Sequence, residues 1–403
     1  MAGLWAHEMT SRIDSLRLVG APGSNKVMGG ELSRIARRGL GDIRLPRSRR
    51  AGDGGLVIPF DELGLRDGAR LAAVATYYQR TASRVLWDLY ESRCDRLEPL
   101  YDELRAVVAA DDRPHLRSGL GISVRARNVG AFAAGERQIV GCVKNALIDG
   151  ARDRGVTLRV DPADPDVPIA VRMHDGALTV SIDLAGRSMS ERGYRIDGGP
   201  APLRETLAAV LVMLCRHDPR TEALVDPMTG SGTLAIEAAL LAKGAPIWTA
   251  GRRPALERIP GFEAPEPLKP LFADTEPAVL AADVDPAACK RARAAAARAG
   301  ARVDIRQRDF RELLPSEAKE ALGERARRGV ILCNPPYGER LGQGEDLAAL
   351  YRDLGAFCRQ FRGWRAGFIV ASDEFQPAFG GRPRIEKPIR AGGLSARFLL
   401  YDL

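Results

Sequence analysis

"LVDPMTGSGTLAIEAALL", residues 224–241, sets the architecture of this chain. An apolar run ends at Asp226, a turn containing Gly230 and Gly232 follows, and an alanine- and leucine-rich helical pattern begins directly after it. Strand, glycine turn and helix in that order open a parallel α/β unit. Glycines there allow positive φ angles and close approach of the backbone to a ligand. The helix N-terminus offers unpaired N–H groups to a carboxylate or phosphate. Such turns also serve as plain corners. No lysine follows the second glycine, so this is not a P-loop. The third glycine of the dinucleotide fingerprint is missing as well, which disfavours a nicotinamide cofactor.

Downstream the pattern recurs. The runs "EALVDP", "VLAADVD", "VDIRQRD", "GVILCNPP" and "AGFIVAS" alternate with helical segments such as "PAACKRARAAAARAG" (286–300). The fold class is therefore α/β, with a Rossmann-like, mostly parallel sheet over residues 187–403. "RIEKPIRAGGLSARFLLYDL" (384–403) reads as a hairpin around Gly392-Gly393. A Pro- and Arg-rich stretch, 244–275, separates the first helix from the second strand, and a connection that long is expected to be functional or a lid. Upstream, residues 11–85 read as one small α/β unit and 86–186 as a second. Residues 1–10 read as a disordered leader, with Met9 as an alternative start.

Bulk properties narrow the class. The 403 residues are 45% hydrophobic and 28% charged, ordinary values for a globular protein. No apolar run is long enough to span a membrane and no signal core opens the chain, so the expected compartment is the cytoplasm. Six scattered cysteines and four scattered histidines point to reduced, buried thiols and no metal site. Net charge is +8, and the first fifty residues hold ten Arg/Lys against four Asp/Glu, densest at "RLPRSRR" (44–50). A basic run is either a solvated surface or a seat for an acidic partner such as RNA.

The strand ends carry the chemistry. Asp283 closes the second strand, where a carboxylate over the sheet's carboxyl edge can accept both hydroxyls of a ribose. Asp285 is placed to cap the helix that starts at Pro286. At the third strand end, Asp309 can accept from an adenine amine and Phe310 can line the base pocket, although Asp309 also reads as a turn residue. Asp226 with its glycine turn, Asp283 and Asp309 together describe a nucleoside with an amino-acid tail, which is S-adenosylmethionine. At the fourth strand end stands "NPPY". An exocyclic amine on a base is a poor nucleophile because its lone pair is delocalised into the ring. The Asn334 side-chain oxygen and the Pro335 carbonyl can each accept an N–H from it, and Tyr337 can stack on the base. Positioning then supplies most of the rate, with no metal required.

The segments "RGYRIDGGPAPLRETLAAVLV" (192–212), "VDPMTGSGTLAIEAALLAKGAPIW", "AADVDPAACKRARAAAARAG" and "CNPPYGERLG" resemble the class I S-adenosylmethionine-dependent RNA methyltransferases that carry a THUMP domain, best of all the bacterial 23S rRNA guanine-N2-methyltransferases. The resemblance implies a mostly parallel seven-stranded catalytic sheet over 187–403, a ferredoxin-like domain over 11–85 and a THUMP RNA-binding domain over 86–186. It implies that Asp226, Gly230 and Gly232 surround the methionine part of the cofactor, that Asp283 holds the ribose and Asp309 the adenine amine, and that Asn334, Pro335 and Tyr337 present the guanine amine. In some relatives a second methyltransferase is fused C-terminally, and this chain, ending after the hairpin, is expected to make one modification. RNA is the implied partner, and the target base is expected to flip out of the folded RNA.

Four alternatives stay open: a tRNA guanine-N2-methyltransferase, a DNA adenine-N6 methyltransferase, a non-catalytic RNA-binding assembly factor, and a nicotinamide-dependent oxidoreductase. The last two are disfavoured by the intact strand-end residues and by the missing glycine. The oligomeric state stays open too.

Overall fold

A computed structural model describes residues 11–403 apart from positions 42, 53, 196–202, 250, 269–275, 337–345 and 392–393. Two compact units emerge. One gathers the residues up to Val19, Leu32–Ser188 and Arg253–Glu266; the other gathers Gly20–Glu31, Met189–Arg252 and Pro267–Leu403.

The first unit is built on an eight-stranded sheet. Its strands are β1 (Ser11–Gly20), β2 (Arg49–Arg50), β3 (Gly55–Pro59), β4 (Ala82–Ser92), β5 (Gly121–Arg127), β6 (Arg159–Val160), β7 (Val167–His174) and β8 (Ala177–Asp183), in the order β2-β3-β1-β4-β8-β7-β5-β6. Helices α2 (Gly64–Tyr78), α3 (Leu97–Ala109) and α4 (Glu136–Asp153) belong to it, and α1 (Asn25–Leu40) divides between the units after Glu31. Strand alternation gives the sheet one apolar face: Ile122 and Ala126 of β5 are buried while Arg125 and Arg127 are exposed. Part of the predicted 244–275 insertion is packed into this unit and is not a free lid. The Leu256 N–H donates to the Leu184 carbonyl at 2.8 Å. Leu256, Ile259 and Phe262 are buried. Phe262 stacks on His115 with ring centroids 4.6 Å apart and meets Trp87 edge-on. Apolar residues in a long connection must find cover, and here they find a core.

The second unit holds seven strands. They are β9 (Ala223–Asp226), β10 (Val279–Asp283), β11 (Asp304–Gln307), β12 (Gly329–Cys333), β13 (Arg365–Val370), β14 (Ile385–Ala391) and β15 (Leu394–Asp402), in the order β11-β10-β9-β12-β13-β15-β14. The five strands β9 to β13 pair parallel, and β15 runs antiparallel to both β13 and β14. The turn joining β14 to β15 lies outside the described residues. Successive strand residues feed two cores, as a doubly covered sheet requires. Leu224, Val279, Val330 and Leu332 pack with α5 (Glu205–Leu214), α6 (Thr233–Lys243) and α7 (Pro286–Ala299). Val225, Leu280, Ile331 and Cys333 pack with α8 (Pro315–Leu322), α9 (Leu347–Cys358) and α10 (Phe375–Phe379). Asp285 caps α7 as expected, accepting from the Ala287 and Ala288 N–H groups.

Four of the six cysteines are buried. Cys94, between β4 and α3, and Cys142, on α4 with its thiol donating to the Leu97 carbonyl at 3.2 Å, are both expected buried and are only half-covered. Among the described residues no helix is long and apolar enough to cross a membrane.

Candidate active site

The site assembles where four parallel strands end side by side. Ala281 of β10 stands in register with Asp226 of β9, and Asp283 with Gln307 of β11. The glycine turn is stitched onto the end of β10: the Thr229 N–H donates to the Ala282 carbonyl at 2.8 Å and the Gly230 N–H to Asp283 Oδ2 at 2.8 Å. Asp226, Gly230, Gly232 and Asp283 are thereby brought together. Gly232 is required on two counts. Its φ is +81°, and a Cβ there would lie 3.0 Å from the Ala292 Cβ of α7. Gly230, at φ +53°, faces open space where a Cβ would meet nothing within 4 Å.

Asp226 is the electrostatic anomaly. Its side chain is 1% exposed, Oδ2 accepts from the Thr229 hydroxyl at 2.9 Å, and Oδ1 is buried with no hydrogen-bond partner. Burial pushes its pKa from an ordinary 3.8 up to about 7; the Asp283 charge adds to the rise, and the Thr229 hydroxyl and Met228 N–H oppose it. A half-satisfied buried carboxylate is costly unless it has a partner to meet. Asp283 is only half-buried and accepts the Gly230 and Asp285 N–H groups.

A cleft of about 540 Å³ opens over these strand ends, lined among others by Met228, Asp283, Val284, Asp309, Phe310 and Pro336. That volume suits a nucleoside-sized ligand. Asp309 caps a short turn, its Oδ1 accepting the Arg311 N–H at 2.9 Å, and it holds the Arg311 guanidinium through Oδ2. Phe310 is 4% exposed, edge-on to Phe357, with the Arg311 guanidinium over its ring.

At the end of β12, Asn334 Oδ1 is buried without a partner and Pro335 is buried. The next carbonyl, that of Pro336, accepts the Tyr351 hydroxyl at 2.9 Å, and Tyr351 is fully buried in α9. Two neighbouring acceptors thus differ, one committed to the protein and one held in reserve. Tyr337 lies outside the described residues. Sequence reasoning missed Tyr351, whose position 17 residues beyond Asn334 carries no local signal. It also missed Val284, 67% exposed between two aspartates; an apolar residue directly after a strand-end carboxylate was the available clue. Among the described residues no cluster of His, Cys, Asp and Glu has the makings of a metal site.

A parallel sheet with one reversed strand, ending in Asp226, the glycine turn, Asp283 and the Asn-Pro-Pro turn, defines a class I, Rossmann-like methyltransferase domain. The chain belongs to the family described as "RMKL-like, methyltransferase domain", whose model matches residues 192–397. It is 32% identical over 353 residues to the ribosomal RNA large subunit methyltransferase K/L of Marinobacter nauticus, covering 82% of this chain and 46% of that one. With the protein of the same name from Pseudomonas aeruginosa PAO1 the identity is 32% over 344 residues, covering 81% and 46%. The chain therefore spans about half the length of these curated relatives. Among solved structures it resembles SMU.472 complexed with SAH (TM-score 0.75, 22% identity, 97% of this chain and 98% of that one). It also resembles TrmN from Thermus thermophilus (TM-score 0.63, 22% identity, 96% and 98%).

Proposed function

We propose that this chain transfers a methyl group from S-adenosylmethionine to the N2 amine of a guanine in 23S rRNA, in the cytoplasm. In this reading residues 11–85 form a ferredoxin-like domain and 86–186 a THUMP domain, and together they hold the RNA. The observation that carries the reading is the Asn334 side-chain oxygen: buried, without a partner, at the strand end next to a carboxylate-lined cleft. The names of the curated relatives support an rRNA substrate.

The strand-end residues fit the cofactor. The orphaned Asp226 oxygen suits its ammonium, and the open side of Gly230 with the start of α6 suits its carboxylate. Asp283 would hold the ribose hydroxyls, Val284 and Phe310 would flank the adenine, and Asp309 would accept from its amine. When bound, S-adenosylmethionine supplies an electrophilic methyl on a sulfonium. The chain's own contribution is position. Asn334 Oδ1 and the Pro335 carbonyl accept the two N–H groups of the guanine amine and turn its lone pair out of the ring plane toward the donor. The uncharged Asn334 amide takes no proton, so the proton that the methylated amine sheds passes to water; the role of Asn334 is alignment and polarity, and alignment of this kind is worth roughly 7–11 kcal/mol. The Tyr351 hydroxyl fixes the Pro336 carbonyl and with it the turn that carries both acceptors.

The test is transfer of labelled methyl from S-adenosylmethionine to rRNA and tRNA fractions from cells lacking the protein. Label is expected in 23S rRNA as N2-methylguanine. Asn334→Ala is expected to lower turnover about 100-fold or more while cofactor affinity measured by calorimetry stays within a few-fold. Label confined to tRNA would assign the tRNA alternative, and wild-type turnover by the variant would refute the role of Asn334.

A further inference from the structure

We propose that the polar face of the first unit's eight-stranded sheet is a seat for the phosphodiester backbone of RNA, with Arg125, Arg127 and Arg172 as the direct phosphate contacts. The inference rests on the RNA reading above and names a surface that reading leaves unassigned.

Register places these residues. Across β5, β7 and β8 one set of partners is apolar: Val124 with Ile169 and Ile182, and Ala126 with Val171 and Val180. The alternate set lies on the opposite face: Arg125 with Ala170 and Ser181, and Arg127 with Arg172 and Thr179. Thr179 pairs with Glu91 of β4. The Arg17 guanidinium of β1 reaches Glu91 at 3.2 Å and Thr179 at 3.5 Å. Arg17 pairs with Val57 of β3, and Val57 with Arg49 of β2. One row thus crosses seven strands from Arg49 to Arg127, roughly 29 Å at ordinary strand spacing. Arg49 comes from the basic run "RLPRSRR", so the tertiary fold draws that run onto the same face.

Charge along the row is uneven. Arg17 and Arg84 are neutralised by Asp88, Glu91 and Asp183. Arg125, Arg127 and Arg172 make no side-chain hydrogen bond or ion pair among the described residues, although many of the described arginines are paired. Burial, and then the neighbouring Arg84, push the half-buried Arg172 guanidinium below its ordinary pKa, with Arg17 and Arg127 adding to the fall and Asp183 opposing it. An uncompensated cation held among cations calls for an anion. The Ser123 hydroxyl on the same face is buried without a partner. Arginine forks suit phosphate oxygens. No aromatic side chain stands in the row to stack on a base, and no large apolar anchor to seat a protein. A backbone contact that is indifferent to sequence is what remains.

The test uses the full chain and fluorescence anisotropy of a labelled hairpin RNA and a labelled single-stranded RNA over a series of salt concentrations. Replacing Arg127 and Arg172 together by Gln is expected to lower the slope of log affinity against log salt by about 0.7–0.9 per arginine, for both RNAs alike. Arg125→Gln, at an exposed position, is expected to act in the same direction without touching the fold. Arg105→Gln, which removes an arginine already paired with Asp153, is expected to leave the slope unchanged. Cofactor affinity should be unaffected in all three. A wild-type slope in the Arg127/Arg172 variant, with wild-type RNA binding intact, overturns the assignment of this face and leaves the RNA reading standing. Failure of the unaltered chain to bind either RNA, or equal binding of poly-glutamate, overturns both.

Discussion

Replacing Asp226 by Asn probes the site without an RNA substrate. The carboxylate is 1% exposed, one oxygen lacks a partner, and its pKa rises from 3.8 to about 7 on folding. Near pH 4 the folded chain keeps the proton and the unfolded chain has released just over half of it, so the buried group costs only about 0.6 kcal/mol. Between pH 4 and 7 the unfolded chain releases the proton while the folded chain keeps it, so stability falls as pH rises. Above pH 7 the penalty is constant, with a ceiling of about 4 kcal/mol at 1.36 kcal/mol per unit. Asn keeps the shape and an acceptor for Thr229, but it adds an amide N–H₂ that lacks a partner, at about 1–2 kcal/mol. The variant should therefore be slightly less stable than the wild type near pH 4 and about 2–3 kcal/mol more stable at pH 8. Urea unfolding of the ligand-free protein, followed by circular dichroism at matched ionic strength, measures the difference. A stability difference that does not change sign or size between pH 4 and pH 8 would refute the claim that Asp226 is folded against its own charge. A group that destabilises the empty fold in this way is one kept for a ligand.

Asp283→Ala removes the acceptor of the Gly230 and Asp285 N–H groups as well as the proposed ribose contact, and should weaken S-adenosylmethionine binding about 10- to 100-fold by calorimetry. Unchanged affinity would move the ribose elsewhere. Gly232→Ala places a side chain at φ +81° and against Ala292, and should cost about 2–4 kcal/mol in denaturant unfolding; a loss below about 1 kcal/mol would show that the turn relaxes freely.

Much of the catalytic unit was legible because its signals are local. A strand, a glycine turn and a helix declare themselves over a dozen residues, and a carboxylate at a strand end is visible as a letter before a turn. The packing of the 244–275 insertion was not legible, for the opposite reason. Its length suggested a functional segment or a lid, but whether Leu256 and Phe262 are exposed or buried depends on what lies opposite them, and His115 and Trp87 are far away in sequence. Asp309 shows an intermediate case: the letter is at a strand end as expected, and the fold also makes it a turn cap and an anchor for Arg311.

The chain's composition and periodicity alone determined the α/β class, the parallel run of strands and the positions of Asp226, Gly230, Gly232, Asp283 and Asn334, since each depends on neighbours within a few residues. Only the tertiary structure decided which of these groups lack a partner, that Tyr351 clamps the Pro336 carbonyl, and that Arg49, Arg17, Arg172 and Arg127 fall in one row. Periodicity specifies which face of a strand a residue occupies, but strand order and register decide what stands beside it, and those are set by packing between segments distant along the chain.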